Sequence, residues 1–263
     1  MKIEGRTFVV SGGASGLGRA SVVDICQRGG YAAVLDMNKE LAEELVKEVG
    51  GGKIRFFETN VLETDSIAAA VKGTLEWVKE TGKEIGGVIA AAGVATGAKI
   101  LNKDLNPFRI EEFDFIMNVN VRGTIDLIRQ FLPHMARTTP VGEDGERGII
   151  IMVASVAAFD GQTGQIAYSA SKGAITSLTL PMTRDLARYG IRVVTIAPSL
   201  FDSRMSSLMS DKVRASLTRV MEFPLRMGKP HEFAQLVTQS IENLMLNGVV
   251  LRLDGGTRMP SKM

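Results

Sequence analysis

The chain has 263 residues, of which 45% are hydrophobic and 23% are charged, and its 31 basic and 29 acidic residues leave a net charge of +2. These values are typical of a globular protein of one or two domains. The basic residues are dispersed along the chain, which argues against a nucleic-acid or anionic-membrane partner. The longest apolar stretch, residues 149–159, is interrupted by Ser155 and is too short to span a bilayer. We therefore expect neither a nucleic acid nor a membrane as partner.

The N-terminal residues and the cysteine content bear on location. Three charged residues precede only a short apolar run, residues 7–10, unlike a secretory signal or an Arg-rich transit peptide. Cys26 is the only cysteine, so an internal disulfide and a cysteine-based zinc cluster are excluded. His134 and His231 have no second ligand at metal-binding spacing. We expect an intracellular protein without a metal site.

Short apolar runs alternate with helical patterns along the whole chain. The predicted strands are residues 7–10, 32–36, 53–58, 86–91, 148–154, 192–197 and 249–253. The predicted helices are residues 17–28, 39–49, 64–79, 111–135, 165–189 and 232–246, the fifth with a kink or early break at Pro181. Nearly continuous apolar strands suit a sheet covered on both faces. The pattern predicts an α/β fold with one domain over residues 1–263, a doubly wound parallel sheet of about seven strands with helices on both faces.

Three connections are longer than the others: residues 94–109, 137–147 and 199–227. Long loops in a compact domain are often functional. The first and third begin where predicted strands end, and ligands of such sheets bind beyond the carboxyl ends of the strands. These two segments are candidate walls of a substrate site.

The first predicted strand runs into the sequence SGGASGLG, residues 11–18, and then into a helix. Gly12, Gly16 and Gly18 allow backbone N–H groups to approach a pyrophosphate, and the following helix points its positive end at the same place. Asp36 ends the second predicted strand about 20 residues later, the position at which a carboxylate binds a ribose. The motif and the acid together predict a Rossmann-like dinucleotide site.

Asp36 also predicts which dinucleotide is bound. A carboxylate accepts hydrogen bonds from both hydroxyls of the adenosine ribose and repels a 2′-phosphate. Ser15 and Met37, the nearest positions that could offset the repulsion, are uncharged, and Lys39 is interpreted as a solvated residue of a first helical turn. The predicted cofactor is NAD rather than NADP.

A second group of residues predicts carbonyl–alcohol chemistry. Tyr168 and Lys172 are spaced i and i+4 near the start of a predicted helix, so they share one face. The Lys172 ammonium is expected to lower the pKa of the Tyr168 phenol from about 10 toward neutrality. Ser155, just beyond a predicted strand, can hold a substrate oxygen toward Tyr168.

SGGASGLG, Asp36, Ser155 and YSASK, residues 168–172, occur in the order in which the short-chain dehydrogenase/reductase family has them, and the chain resembles that family over nearly its full length. The resemblance implies a cofactor-binding part at about residues 1–150 and a catalytic and substrate part at about residues 151–263. It also implies that Asn120, in an N-x-x-G context, anchors a water in a proton relay, with Asn118 as the competing position. The family lysine also binds the nicotinamide ribose.

The cofactor residues implied by the resemblance are Gly12, Ser15, Gly16, Leu17, Gly18, Asp36, Asn60, Val61, Ala92, Gly93, Tyr168, Lys172, Pro198, Leu200 and Ser203.

Three departures from the family pattern concern the cofactor site. The family's N-N-A-G is AAAG here, from Ala90 onward, which removes amide hydrogen bonds. Asn60 stands where the family has an adenine-contacting Asp, and it keeps an acceptor while losing the charge. Ser199 replaces the glycine of a Pro-Gly pair beside the nicotinamide pocket, where we expect it to narrow the allowed backbone geometry.

Three longer segments, ASVAAFDGQTGQIAYSASKG, TLPMTRDLARYGIRVVTIAPSLF and NGVVLRLDGGTRM, resemble the type 2 3-hydroxyacyl-CoA dehydrogenases, also called type 10 17β-hydroxysteroid dehydrogenases. This resemblance implies NAD-dependent oxidation of 3-hydroxyacyl-CoA and a homotetramer, in mitochondria or in the cytoplasm. The alternatives are a dehydrogenase of a steroid, a polyol or a secondary-metabolite ketone. A further alternative is a dinucleotide-binding scaffold or sensor.

The substrate residues follow from the loops. Gln162 and Gln165 lie between Ser155 and Tyr168 and either contact a thioester or steroid oxygen or make loop hydrogen bonds. The cations of the long loops, Lys99 and Lys103 among them, are candidates for pairing with the phosphates of coenzyme A. Apolar side chains of the third loop, including Phe201 and Met205, are candidates for receiving an acyl tail.

Overall fold

The computed structural model describes residues 1–202 and 218–259. Its strands form one parallel sheet in the order β3-β2-β1-β4-β5-β6-β7. The strands are β1 Thr7–Ser11, β2 Tyr31–Asp36, β3 Ile54–Glu58, β4 Ile85–Ala90, β5 Gly148–Val153, β6 Ile191–Pro198 and β7 Val249–Leu253. The predicted doubly wound parallel sheet is confirmed.

Helices cover both faces of this sheet. They are α1 Gly16–Gln27, α2 Lys39–Val49, α3 Thr64–Thr81, α4 Ile110–Met117, α5 Gly123–Met135, α6 Ile166–Leu186 and α7 Pro230–Glu242. Among the helices of residues 1–202 and 218–259, none combines the length and the apolar character that crossing a bilayer demands.

The core lies in two layers because successive strand side chains point to opposite faces. In β1, Val9 packs with the layer that contains Phe131 of α5, whereas Phe8 and Val10 pack with the layer that contains Phe233 of α7. All five of these side chains are fully buried. This two-sided burial explains why the strands are nearly continuous apolar runs.

The prediction of one α-helix over residues 111–135 is wrong in the middle of that range. A π-helical turn, Asn118–Arg122, separates α4 from α5. A π turn holds one residue more than the α-helical pattern allows, and such turns are frequent at functional sites. The helix predicted over residues 232–246 begins earlier, at Pro230, and ends earlier, at Glu242.

Of the kink or early break predicted at Pro181, the early break does not occur, because α6 continues through Pro181 to Leu186. Proline removes the hydrogen bond to the carbonyl four residues before it. Pro181 and Ser177 are both exposed, so the carbonyl of Ser177 is on the solvent side of the helix, where water can bind it.

The strand order reverses between β1 and β4, which are hydrogen-bonded neighbours. A crevice forms where connections from two such strands leave toward opposite faces. The backbone N–H of Ala91 donates to the Ser11 carbonyl at 3.2 Å, which holds the two departing segments together. The fold thus places the glycine-rich turn beside the loop that follows β4.

Candidate active site

A cavity of about 420 Å³ opens at the carboxyl ends of the strands. That volume is within the range of small-molecule sites. The predicted residues that line it are Gly12, Ser15, Gly16, Leu17, Gly18, Asp36, Val61, Ala92, Gly93, Ser155, Gln162, Gln165, Tyr168, Lys172, Pro198, Leu200 and Phe201. Ser203 and Met205 lie outside the described residues.

The glycine-rich turn brings the start of α1 to this cavity. Gly12 has a φ of 65°, and a Cβ there would lie 2.9 Å from the backbone of Ala92. A Cβ on Gly18 would collide with the carbonyl of Gly12. The glycines therefore allow two backbones to pass each other closely, and the first turn of α1 directs its free N–H groups at the cavity.

Asp36 stands at the end of β2 and lines the cavity. Its carboxylate accepts the backbone N–H of Ala14 at 3.0 Å through Oδ2 and that of Asn38 at 3.0 Å through Oδ1. Each oxygen keeps a lone pair for a further donor. The Lys39 side chain is 66% exposed and pairs with Glu43, so it does not neutralise Asp36.

Asn60 does not line the cavity, although Val61 beside it does. The Asn60 side chain is occupied by its own loop: Oδ1 accepts from the Leu62 N–H at 3.1 Å and Nδ2 donates to Glu63 at 2.8 Å. The structure thus does not bring Asn60 to the site, because an asparagine amide can close a local turn and donate to a neighbouring carboxylate at once.

The loop after β4 is held by side chains from other elements. The N–H of Ala92 donates to the Ser11 hydroxyl at 3.2 Å. A Cβ on Gly93 would lie 3.1 Å from Asn120 Oδ1 and 3.4 Å from Lys172 Nζ. The support expected to be lost at the alanines is therefore supplied by Ser11, and Gly93 leaves room for two polar groups.

Asn120 lies in the π turn and is 1% exposed. Its side chain makes hydrogen bonds with both backbone groups of Val94, and Nδ2 also donates to Ser171 Oγ at 3.0 Å. Its own carbonyl accepts the Thr124 hydroxyl at 2.8 Å. Asn118, the competing position, is exposed. Asn120 thus fastens the β4 loop to α6 from behind the cavity, which it does not itself line.

Ser155, Tyr168 and Lys172 come together at the cavity wall. Ser155 follows β5 and accepts the Ala157 N–H at 3.2 Å through Oγ. Lys172 donates to the Val153 carbonyl at 2.9 Å, and its Nζ lies 5.7 Å from the centre of the Tyr168 ring. One turn of α6 therefore places a phenol and an ammonium beside the hydroxyl at the end of β5.

The pKa of Tyr168 does not follow the sequence expectation. Burial raises the pKa of the phenol, and the Ser155 hydroxyl opposes that rise. Lys172 is buried as well, and desolvation lowers its pKa to about 8. The expected lowering by Lys172 is thus outweighed by the burial of the phenol, which sets the direction of the Tyr168 shift.

The predicted substrate residues divide into two groups. Gln162 and Gln165 line the cavity, and Gln165 Oε1 accepts the Gln162 N–H at 3.0 Å. Lys99 and Lys103 are exposed on the loop of residues 94–109 and do not line the cavity. That loop is joined to the Gln162 segment, since the Ala98 N–H donates to the Gly164 carbonyl at 2.9 Å.

Sequence reasoning missed several residues of the cavity wall. Thr59 and Val119 line it without belonging to any motif, whereas Val94 begins the loop predicted as a wall, and Met259 ends the segment NGVVLRLDGGTRM without having been assigned to the site. Met259 arrives because the turn after β7 folds back, with the Thr257 N–H donating to the Asp254 carbonyl at 3.0 Å. Ser199 also lines the cavity, and positive φ among non-glycine residues of the described chain is confined to Leu105, so Ser199 causes no backbone strain.

A family model described as short chain dehydrogenase matches residues 6–214. The chain belongs to the short-chain dehydrogenase family. As a short-chain dehydrogenase it is an oxidoreductase, and the predicted family, fold and enzyme class are confirmed.

Three members of the family are similar over nearly the whole chain. A 3-hydroxyacyl-CoA dehydrogenase type-2 of Rattus norvegicus is 43% identical over 98% of this chain and 97% of its own. The crystal structure of 3-hydroxyacyl-CoA dehydrogenase type-2 from Mycobacterium avium has a TM-score of 0.91, 32% identity and 98% coverage of both chains. A 3-ketoacyl-(acyl-carrier-protein) reductase from Brucella melitensis complexed with NADH has a TM-score of 0.82 and 26% identity, covering 98% of this chain and 100% of its own.

Short-chain dehydrogenases typically use NAD or NADP, and the residues present fit a dinucleotide. The glycines leave no side chain between the start of α1 and the cavity, which leaves space for phosphates. Asp36 offers acceptors at the end of the neighbouring strand. Tyr168 and Lys172 line the same cavity. One continuous space therefore joins the glycine-rich turn to Tyr168 and Lys172.

Proposed function

We propose that this short-chain dehydrogenase interconverts 3-hydroxyacyl-CoA and 3-oxoacyl-CoA thioesters with NAD as its cofactor. One observation carries the proposal: Asp36 and the group Ser155, Tyr168 and Lys172 line a single cavity. The resemblance to dehydrogenases named for 3-hydroxyacyl-CoA supports the choice of substrate.

The preference for NAD rests on charge. Asp36 is an anion at the position where a 2′-phosphate would lie, and Met37 beside it is uncharged and 66% exposed. Lys39 is turned toward Glu43 at 3.8 Å. Because a bound 2′-phosphate would face a carboxylate without a compensating cation, NADP is disfavoured.

The proposed chemistry divides between three side chains. A bound NAD supplies the hydride acceptor in oxidation. The Ser155 hydroxyl holds the substrate oxygen, and Tyr168 Oη takes the hydroxyl proton in oxidation or gives a proton to the ketone oxygen in reduction. Burial raises the pKa of Tyr168, which favours the protonated phenol that donates in reduction, whereas oxidation needs the phenolate, which accepts the substrate proton. The Lys172 ammonium stabilises the phenolate that this donation leaves.

The proposed substrate is a thioester because of what surrounds the reacting end. Val94, Leu200 and Phe201 give the cavity an apolar wall suited to an acyl chain. Gln162 and Gln165 offer amides for the thioester oxygen. We propose that the exposed cations of the adjoining loop, Lys99 and Lys103, pair with coenzyme A phosphates, an interaction that salt weakens.

The test measures the reduction of acetoacetyl-CoA by NADH from the loss of absorbance at the nicotinamide band. A panel of steroid and polyol ketones is measured in the same assay. We expect KM for acetoacetyl-CoA to rise with ionic strength and in the double variant Lys99→Ala/Lys103→Ala. KM for a steroid ketone is expected to stay constant, because a neutral steroid has no phosphate.

The matched control is Lys72→Ala/Lys79→Ala, which removes two exposed lysines from α3. No reduction of acetoacetyl-CoA would overturn the acyl-CoA assignment. Turnover of a steroid alone would replace it with a hydroxysteroid dehydrogenase, and absence of turnover on every ketone would favour a scaffold or sensor.

We further propose a homotetramer located inside the cell, in mitochondria or in the cytoplasm. Phe115 of α4 and Leu180 of α6 are 44% and 45% exposed, which supports burial of these helices against other copies. Sedimentation of the purified protein tests the assembly.

We also propose that residues 1–150 bind the cofactor and residues 151–263 carry catalysis and substrate binding.

A further inference from the structure

Arg252 of β7 makes a group of contacts that the proposed chemistry does not use. Its Nη2 lies 2.7 Å from Asp160 Oδ2, and its Nε lies 2.7 Å from Asp254 Oδ2. Its guanidinium carbon is 5.1 Å from the centre of the Phe159 ring. The Arg252 side chain is only 22% exposed, so these charges are partly removed from water.

Asp160 belongs to the segment that joins Ser155 to α6. In this segment Ala157, Gln162 and Gln165 line the cavity, whereas Asp160 does not. The segment is irregular apart from the short 3₁₀ helix Val156–Ala158. The ion pair with Arg252 therefore fixes, from outside the cavity, a wall that the substrate contacts from inside.

A further hydrogen bond of Arg252 holds a second wall of the cavity. Its Nη2 also donates to the Thr257 carbonyl at 3.0 Å, close to Met259, which lines the cavity. The neighbouring Gly255 carbonyl accepts the backbone N–H of Phe223 at 3.2 Å. One guanidinium thus links the Gln162 segment to the segment after β7, which in turn contacts residues 222–223.

The geometry favours a firm link over an ordinary surface ion pair. Exposed pairs contribute little, because water screens both charges and flexible side chains lose entropy. Arg252 is bonded at two carboxylates and one carbonyl and packs on Phe159, which leaves it a single orientation. A guanidinium held in this way sets the distance between the groups that it bonds.

We propose that Arg252, through Asp160, is a positioning residue that sets the separation of the two substrate walls. It acts on substrate affinity and touches neither the reacting atoms nor the cofactor residues. The inference rests on the proposed function in one respect, the use of acetoacetyl-CoA as the substrate measured.

The kinetic test compares Asp160→Asn, Arg252→Gln and their double variant. Each single change is expected to raise KM for acetoacetyl-CoA about tenfold, with kcat within threefold and the dissociation constant of NADH within twofold of the unaltered protein. Because the two residues act as a pair, the double variant should be no worse than either single one. Asp160→Glu keeps the charge and should restore KM to within threefold.

Arg258→Gln is the matched control, since Arg258 also pairs with Asp254, at 3.1 Å, yet is 66% exposed and does not contact Asp160. It should leave KM unchanged. If kcat falls by as much as KM rises in both Asp160→Asn and Arg252→Gln, the pair has a purely structural role and the proposal is overturned.

Hydrogen exchange provides a readout without substrate. The amides of Asp160, Gln162 and Gln165 are hydrogen-bonded within the segment. In unliganded Asp160→Asn they should exchange at least tenfold faster, while amides of β5 keep their rates. Unchanged exchange together with unchanged KM overturns the proposal. If the unaltered protein does not reduce acetoacetyl-CoA, the proposed function fails, and hydrogen exchange still decides whether Arg252 holds the segment.

Discussion

The Asn120 side chain binds both backbone groups of Val94: Oδ1 accepts the N–H at 2.8 Å, and Nδ2 donates to the carbonyl at 2.9 Å. The same amide nitrogen donates to Ser171 of α6. The loop after β4 is thereby fixed relative to the helix that carries Tyr168 and Lys172. The position of the loop after β4 relative to the first turns of α6 depends on this one buried amide.

Asn120→Ala is expected to destabilise the protein by about 3 kcal/mol, because it leaves the N–H and carbonyl of Val94 without their partner. Urea unfolding measures the free energy. Asn118→Ala is the matched control, since Asn118 is exposed in the same π turn, and it should change stability by less than about 0.5 kcal/mol. Equal losses of stability in the two variants would contradict the hydrogen bonds between Asn120 and Val94.

Tyr168→Phe should lower kcat for acetoacetyl-CoA reduction by about a hundredfold or more, the usual effect of losing a general acid. NADH affinity, followed by fluorescence titration, should change little, because the ring remains. Tyr189→Phe provides the comparison, since the Tyr189 hydroxyl bonds to Arg188 at 2.7 Å on another part of the surface. Full turnover by the Tyr168→Phe protein would show that a different group donates the proton.

Lys172 predicts a pH dependence of stability. Its pKa falls from 10.5 to about 8 on folding because of desolvation. Between these two values the unfolded chain binds more protons than the folded protein, so stability rises with pH in this window. Each pKa unit corresponds to about 1.4 kcal/mol, so the free energy of unfolding should rise by about 3 kcal/mol relative to Lys172→Met between pH 8 and 10.5.

Below pH 8 that difference should be constant. Urea unfolding at pH 7, 8, 9 and 10 measures it. Lys39→Met removes a lysine that is 66% exposed and should show no such rise. A constant difference between the unaltered protein and Lys172→Met through pH 10 would contradict a desolvated lysine.

Asp36 predicts at least a tenfold preference for NAD(H) over NADP(H), which corresponds to about 1.4 kcal/mol. The double variant Asp36→Ala/Met37→Arg should move the preference toward NADP(H), because it removes the carboxylate and adds a cation. Ratios of kcat/KM measure the change. Glu58→Ala is the control, since Glu58 pairs in register with Asp36 at the end of β3 and does not line the cavity. An unchanged ratio in the double variant would place Asp36 away from the ribose.

The sheet and much of the cavity wall are predictable from the sequence because both depend on local patterns. Strands that are buried on two faces appear in the sequence as continuous apolar runs. The bounds of each observed strand lie within two residues of the predicted ones. The glycine spacing and the i, i+4 spacing of Tyr168 and Lys172 are also local, and these residues line one cavity.

Features that depend on distant contacts are not predictable in this way. The π turn is hidden because one extra residue barely changes a helical apolar period. The pKa of Tyr168 depends on how deeply α6 and its neighbours bury the phenol, which no spacing reports. Asn60 turns away because Glu63 and the Leu62 N–H are closer partners than the cavity.

The π turn between α4 and α5 makes the two helices differ in phase. Each residue of an α-helix advances about 100° around the axis, so one extra residue rotates everything beyond it by that angle. On either side of the turn, α4 contacts α6, whereas α5 contacts β4 and α3. Deleting a single residue from Asn118–Arg122 would join both helices into one continuous rod and turn one of these two contact faces away from its partner.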